Sequence, residues 1–246
     1  MKTLLKMTWL EMKLFLREPV TVVFVFALPV VILLVLGEVF GSQADPEVFR
    51  GVRPIDYYVP AYIGLVIASI GLMALPVHIS GYRDQGVLRR FHASSAPVWM
   101  VLGAQVLVSL VIATLGGLLL FLVASAVYGV ELPRSPAGLV PSFLLSALGF
   151  ASVGVLLGAL LPTARAAQGA GLLLFFVMMM LCGAGPPREV MSTPMLRIGD
   201  ALPLTHVIRL LQDPWLGFGW SLTALAAVTA FIVVPAAISL RTFRWE

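Results

Sequence analysis

Long apolar runs constrain the fold of this chain more than any other feature of its sequence. Six runs hold few charges over eighteen residues or more, and a helix of about 20 apolar residues crosses a bilayer. Only 11% of the 246 residues are charged, against about 25% in a typical soluble domain. The sequence predicts a single all-α integral membrane domain over residues 1–246, with six transmembrane helices at residues 20–40, 59–80, 98–128, 138–161, 166–183 and 218–240.

The charges outside these runs predict the topology. With six spans and both termini in the cytoplasm, the cytoplasmic segments hold ten of the sixteen lysines and arginines but four of the twelve acids. This bias follows the positive-inside rule. The basic residues flank apolar runs and form no basic face, so we interpret the net charge of +4 as a topology signal and expect no nucleic-acid partner.

Residues 1–18 are expected to form an amphipathic helix at the cytoplasmic membrane surface. On a helical wheel, four basic residues fall within about 60° of one another, and most other positions are apolar. Such a helix places its cations at lipid headgroups and Trp9 in the acyl boundary, while Glu11 lies on a different side. A plain extension of the first span is the alternative. The basic stripe of this helix consists of Lys2, Lys6, Lys13 and Arg17.

A polar segment at residues 81–97, with the sequence GYRDQGVLRRFHASSAP, separates the second and third apolar runs. Built as a helix, it gathers Val87, Leu88 and Phe91 within roughly a third of the circumference, with arginines beside them. Its three arginines also place the segment in the cytoplasm. We predict that this loop contacts a protein outside the membrane, and the alternative is a solvated connector.

Three further patterns concern packing and the outer surface. Gly154 and Gly158 lie four residues apart in the fourth span, a spacing that lets helices approach closely within the chain or across a dimer. Residues 184–217 are too polar to span and too apolar for a solvated loop, so short re-entrant helices in the outer leaflet are expected there. Tyr57 and Tyr58 are expected to form an aromatic belt.

The sequence lacks the motifs of several catalytic classes. It contains no G-x-x-x-x-G-K-S/T loop, no H-E-x-x-H and no G-x-S-x-G, so this chain is not expected to bind ATP through a P-loop or to be an enzyme. Cys182, the single cysteine, is interpreted as a buried filler, and no metal site is predicted. His78 and Glu38 lie near span ends and are interpreted as interface residues. Charge is scarce within the spans, so we expect a separate protein to supply the energy.

Two segments carry a family resemblance: RDQGVLRRFHASSAP, and PREVMSTPMLRIGDALPLTHVIRLLQD with Leu-Pro-Leu-Thr at residues 202–205. The first resembles the inner coupling loop of ABC-2 type transporter permeases, and the second resembles the region before their last span. The chain looks most like the antibiotic and multidrug-export permeases of this family. Arg89 stands where the family commonly has an acid, and Ser95 where it commonly has a proline. The resemblance covers essentially the whole chain, and the ATPase-coupling residues that it implies are Arg83, Asp84, Gly86, Val87, Leu88, Arg90 and Phe91.

The resemblance also implies partners and a transport path. Two permease copies, expected to be identical, would pair with two copies of a separate ATPase that carries ATP and magnesium, while this chain binds no cofactor. The coupling loop and residues 1–18 would sit against that ATPase, in a bacterial-type cytoplasmic membrane. The path would lie between the permease copies along the first, second and fifth spans. Its predicted lining residues are Phe24, Phe26, Phe175, Phe176, Met178 and Met179.

The nature of the cargo is indicated only by side-chain character. Methionine and phenylalanine form an adaptable apolar surface, which favours export of hydrophobic drug-like or lipid-like molecules. Within the same family, export of a lipid-linked glycan or another lipid is the alternative. Outside it, a secondary carrier or channel would need a functional intramembrane charge or an inverted repeat, and an intramembrane lipid enzyme would need a nucleophile or acid-base cluster.

Overall fold

The computed structural model describes residues 2–17, 19–40, 47–86 and 98–242. It is 85% helical, and no strand occurs in these ranges. Six of the described helices are long and apolar enough to cross a membrane. The predicted all-α membrane fold is therefore confirmed, while the side on which the termini lie stays a prediction from charge.

The described chain contains one helix before the spans, six spans and two helices between the last two spans. Helix α1, Lys2–Phe15, precedes the spans. The spans are α2 (residues 19–40), α3 (Pro54–Asp84), α4 (Val98–Tyr128), α5 (Pro136–Leu160), α6 (Ala164–Leu181) and α9 (Leu222–Thr242). Between the last two spans lie α7 (Thr193–Ala201) and α8 (Pro203–Leu216). One 3₁₀ turn, Phe49–Gly51, precedes α3, and another, Arg188–Val190, precedes α7.

Helix α3 forms the centre of the bundle. In its most apolar window 94% of the residues are buried, against 22–39% in the other five spans. It packs against α2, α4, α5, α6 and α8. Helix α3 therefore contacts four of the other five described spans.

Two of the spans contain a π turn just before a proline. Val23–Ala27 precedes Pro29 in α2, and Ile70–Ala74 precedes Pro76 in α3. Proline has no N–H, and its ring collides with the carbonyl four residues earlier. A wider turn at that point relieves the collision and keeps the helix continuous through the membrane.

Helix α3 begins earlier than the apolar run predicts, which changes the position of two tyrosines. Pro54 and Asp56 lie in its first turn, and both residue types favour a helix N-terminus. Tyr57 and Tyr58, expected as an aromatic belt at the surface, are only 2% and 1% exposed, so that expectation is wrong. They pack inside the bundle, where the Tyr58 hydroxyl donates to the carbonyl oxygen of Gly185 at 2.9 Å.

The paired glycines of α5 pack against α3 within the same chain. A Cβ added at Gly158 would lie 2.6 Å from the Cβ of Ile79, and one added at Gly154 would overlap the carbonyl oxygen of Gly71. The absence of a Cβ therefore permits the close approach that their spacing predicts. Of the two interpretations that the sequence leaves open, packing within the chain is the one that the structure shows.

The region between the fifth and sixth spans folds back onto the bundle. Helix α8 packs against α3, α5 and α9, and Leu204 and Leu211 are fully buried in it. Cys182, just beyond the end of α6, is also fully buried, and burial raises the pKa of its thiol to about 12. A thiol in this state is unreactive at neutral pH, as expected of a buried filler.

Candidate functional site

The last turn of α3 carries the described part of the predicted coupling segment. Arg83 and Asp84 lie in this turn, and Gly86, with φ of +66°, follows it. The Gly86 N–H bonds to the Arg83 carbonyl oxygen at 3.0 Å, and glycine suits this left-handed position because it has no Cβ. The other predicted coupling residues lie outside the described residues, and their role stays a prediction: Val87, Leu88, Arg90 and Phe91.

Arg83 is bound inside the protein. Its Nη1 donates to carbonyl oxygens at the end of α5, those of Gly158 at 2.9 Å, Ala159, and Leu161 at 3.4 Å. The last carbonyls of a helix have no partner within it and form the negative end of its dipole, so a guanidinium both pairs and neutralises them. Arg83 therefore fastens α3 to the turn between α5 and α6, whereas Asp84 is exposed.

We expect Arg83→Met to lower the free energy of unfolding by about 1–3 kcal/mol, because the apolar stem is kept but the α5 carbonyls lose a charged donor. Arg165→Met is the matched control, since Arg165 is exposed at the start of α6 and its loss should cost less than about 0.5 kcal/mol. Chemical denaturation in detergent, followed by tryptophan fluorescence, measures both. Equal losses for the two variants would contradict the capping role.

Helix α1 is tied to the same end of α3 through a buried acid. The Tyr82 hydroxyl donates to Glu11 Oε1 at 2.6 Å, and Glu11 is only 4% exposed. Phe15, which is also buried, packs edge-to-face on Phe26 of α2 with ring centroids 6.4 Å apart. One side of α1 thus contacts the first and second spans, and α1 also packs against α4. Glu11 belongs to this inner side.

The other described residues of the predicted interfacial helix lie on its outer side. Trp9 is 64% exposed, and the Lys13 Nζ lies 5.3 Å from the centroid of its ring. Arg17, just beyond the helix, is also exposed. An exposed tryptophan beside cations is suited to a membrane interface. Lys2 and Lys6 lie in α1, with side chains outside the described part of the structure.

The predicted path residues divide into two groups by their contacts. Phe24 of α2 packs edge-to-face on Phe175 and Phe176 of α6, with ring centroids 5.8 and 5.9 Å away. The first and fifth spans therefore meet at these rings. Phe26 instead packs on Phe15 of α1, on another side of α2.

Burial divides the same residues further. Phe175, Met178 and Met179 are at most 8% exposed, so in this conformation they form core packing. Phe176 is 40% exposed and Phe24 is half-buried, so these two rings reach the surface where α2 meets α6. Whether cargo contacts them stays a prediction.

A polar cleft at the opposite end of α3 was missed in the sequence. Its volume is about 270 Å³, and it is lined by residues of α3, α8 and the segments around them. The Arg50 Nη2 lies 2.8 Å from the Asp213 Oδ1, and the Asp213 side chain is 7% exposed. On another wall the Arg188 Nη2 lies 2.6 Å from the Asp200 Oδ1. No sequence pattern indicates the first pair, because its partners lie on segments far apart in the chain.

The Arg50–Asp213 pair should contribute to stability. Arg50→Ala leaves the buried carboxylate without its cation, and we expect a loss of about 1.5–3 kcal/mol. Arg53→Ala is the matched control, because it breaks the Arg53–Asp56 pair, whose side chains are 35% and 21% exposed and which is worth about 0–1 kcal/mol. The two variants are compared by thermal unfolding in one detergent. A loss for Arg53→Ala as large as that for Arg50→Ala would contradict this ranking.

Comparison with known proteins places most of the chain in one family. The family model of the ABC-2 type transporter matches residues 3–214. The matched range runs from the first turn of α1 to the last turn of α8, and it contains both ends of α3 and the junction with α1. No curated protein matches the chain.

Proposed function

This chain belongs to the ABC-2 type transporter family, and we propose that it is the permease of an ATP-driven exporter powered by a separate ATPase subunit. Its cargo is a hydrophobic drug-like or lipid-like molecule, moved out of the cytoplasm or the inner leaflet. Two identical permease copies work with two ATPase copies in a bacterial-type cytoplasmic membrane. Multidrug efflux and antibiotic resistance are the biological roles that this proposal implies.

The arrangement that supports the proposal most strongly is the connection of the central helix to the predicted coupling loop. The last turn of α3 is fastened on one side by Tyr82 to Glu11 of α1, and on the other by Arg83 to the end of α5. A push on residues 85–97 therefore moves α1, α3 and α5 together. Closure of an ATPase dimer against this loop would supply such a push.

The surface where α2 meets α6 supports a hydrophobic cargo. Phe24 is half-buried, and Phe176 and Met180 are 40% and 44% exposed. Aromatic and thioether side chains adapt to ligands of varied shape, as a multidrug exporter requires. Export of a lipid-linked glycan would use the same coupling and stays the alternative.

Reconstitution tests the proposed function. The chain and its partner ATPase are placed in lipid vesicles, each alone and then together, and ATP hydrolysis is measured with hydrophobic drugs, phospholipids and glycolipids. We expect cargo to stimulate hydrolysis only when both proteins are present. Stimulation by glycolipids alone would favour the glycan alternative. Failure to bind any ATPase, with no stimulation by any cargo, would contradict the proposal and favour a secondary carrier.

A further inference from the structure

A small cavity lies where α1, α3 and α4 meet, beside the contact between Glu11 and Tyr82. Its volume is about 10 Å³, close to the roughly 10–15 Å³ that one water molecule requires. The polar side chains among its lining residues are those of Glu11, His78, Gln105 and Ser109. Glu11 and Gln105 are each 4% exposed, and polar groups buried to that degree normally have hydrogen-bond partners.

Two buried polar atoms of these lining residues lack hydrogen-bond partners among the described residues: one needs a donor and the other needs an acceptor. The Glu11 Oε2 and the Gln105 Nε2 make no hydrogen bond within the described part of the chain. A carboxylate oxygen accepts, whereas an amide nitrogen donates. Leaving either of them unpaired in the interior is costly. A single molecule that donates to the first atom and accepts from the second would satisfy both.

His78 and Ser109 make the same cavity more favourable for water. The His78 Nδ1 lies 2.8 Å from the carbonyl oxygen of Ala74. Because a carbonyl oxygen accepts, the Nδ1 carries the proton, and the Nε2 of a neutral ring is then an acceptor. The Ser109 hydroxyl can both donate and accept. A buried water usually makes two to four hydrogen bonds, and these side chains offer that number.

We propose that this cavity binds one water molecule, which donates to the Glu11 Oε2 and accepts from the Gln105 Nε2. With the Tyr82 hydroxyl on the other carboxylate oxygen, the water completes a polar chain through α3, α1 and α4. Glu11 is then a positioning residue that holds α1 against the second and third spans, at the end where the coupling loop begins. Its part in transport rests on the proposed function, whereas the water site does not.

A double-mutant cycle tests the water site. Glu11→Leu and Gln105→Leu each remove one of the two side chains that the water connects and leave the other without its full set of hydrogen bonds. Each should therefore lower the Tm of the chain by about 4 °C or more. The double variant removes both of these partners and leaves only His78 and Ser109 as polar lining residues, so it should lose clearly less than the two single losses together. Glu11→Gln keeps an oxygen for Tyr82 and a polar group for the water, so it should lose less than Glu11→Leu.

The control pair combines Glu11→Leu with Thr114→Ala. Thr114 lies nine residues further along α4, and its hydroxyl donates to the Leu110 carbonyl of its own helix at 2.8 Å, so these two losses should add. Additive losses for Glu11 and Gln105 as well would overturn the proposal. A second result would also overturn it. If the Tm of the wild-type chain is higher in sodium than in choline, and Glu11→Leu abolishes this difference, the cavity holds a cation.

The positioning role has its own readout in the complex reconstituted with the ATPase. In the Glu11→Leu/Gln105→Leu variant, the factor by which cargo stimulates ATP hydrolysis, relative to the variant's own basal rate, should fall to about half of the wild-type factor or less, because α1 is no longer held by these polar contacts. Full stimulation would overturn the positioning role. A wild-type complex without any stimulation would instead refute the proposed function, and the Tm cycle of the isolated chain would still decide the water site.

Discussion

Replacement of Gly171 by valine is expected to prevent the helix bundle from assembling. Gly171 lies in α6 where this helix crosses the central helix α3. A Cβ added at Gly171 would overlap the carbonyl oxygen of Leu72 and would lie 3.3 Å from the Cα of Met73. The obstacle is backbone, which cannot turn aside as a flexible side chain can. The two spans would have to separate along the crossing.

The π turn of α3 explains why the backbones approach so closely there. The Leu75 N–H bonds to the Ile70 carbonyl oxygen five residues earlier, and the next residue, Pro76, has no N–H. The wider turn brings the carbonyls of Gly71 and Leu72 toward the neighbouring helices, where they meet glycines of α5 and α6. The proline and the glycines therefore form one packing arrangement.

Gly169 provides the matched control for this prediction. It lies two positions earlier in α6, and a Cβ there would meet no atom within 4 Å. Gly169→Val should therefore leave the bundle intact, whereas overpacking at Gly171 should cost at least about 1–3 kcal/mol for alanine and more for valine. Size-exclusion profiles and thermal unfolding of the two series in one detergent measure this. A Tm for Gly171→Val equal to that of Gly169→Val would contradict the close approach of α6 to the α3 backbone at Gly171.

The same crossing indicates how far the fold could be predicted from the sequence. Six apolar runs suffice to predict six helices, because in lipid every backbone polar group has to be paired within its own segment. The spacing of Gly154 and Gly158 also predicts a close helix contact. No pattern distinguishes Gly171 from Gly169, however, because the rotation of α6 about its axis is set by its neighbours.

The candidate site was predicted less completely than the fold. Phe24, Phe175 and Phe176 were assigned to one path and do meet. Glu11 was assigned to an interfacial helix without any partner in the chain, and Arg83 to a surface that contacts the ATPase, yet both bond inside the chain. A helical wheel treats a charged side as a solvent-facing side, and it cannot show that another helix offers a hydroxyl or a row of carbonyls to that charge.

The paired replacement of Leu88 and Phe91 by aspartate is expected to abolish the ATP hydrolysis that the permease stimulates. Because Arg83 is occupied by the carbonyls of α5, we expect contact with the proposed ATPase to depend mainly on the exposed Asp84 and on residues after Gly86. On the helical wheel Leu88 and Phe91 share the apolar side of this segment. Burying a carboxylate in an apolar cleft is strongly unfavourable, and a loss of about 2.8 kcal/mol weakens docking roughly 100-fold.

A charge-matched control separates insertion into a cleft from simple repulsion. Arg89→Gln/Ala93→Asp changes the net charge by the same two units on the opposite side of the same wheel, and it should retain most of the stimulated hydrolysis. The thermal unfolding of the isolated permease should be unchanged in both variants, because none of the four side chains is expected to pack inside the permease. Unchanged hydrolysis in Leu88→Asp/Phe91→Asp would reject the coupling role. Equal loss in both variants would mean that negative charge anywhere in the loop repels the ATPase, so that docking would rest on electrostatic attraction rather than on an apolar anchor.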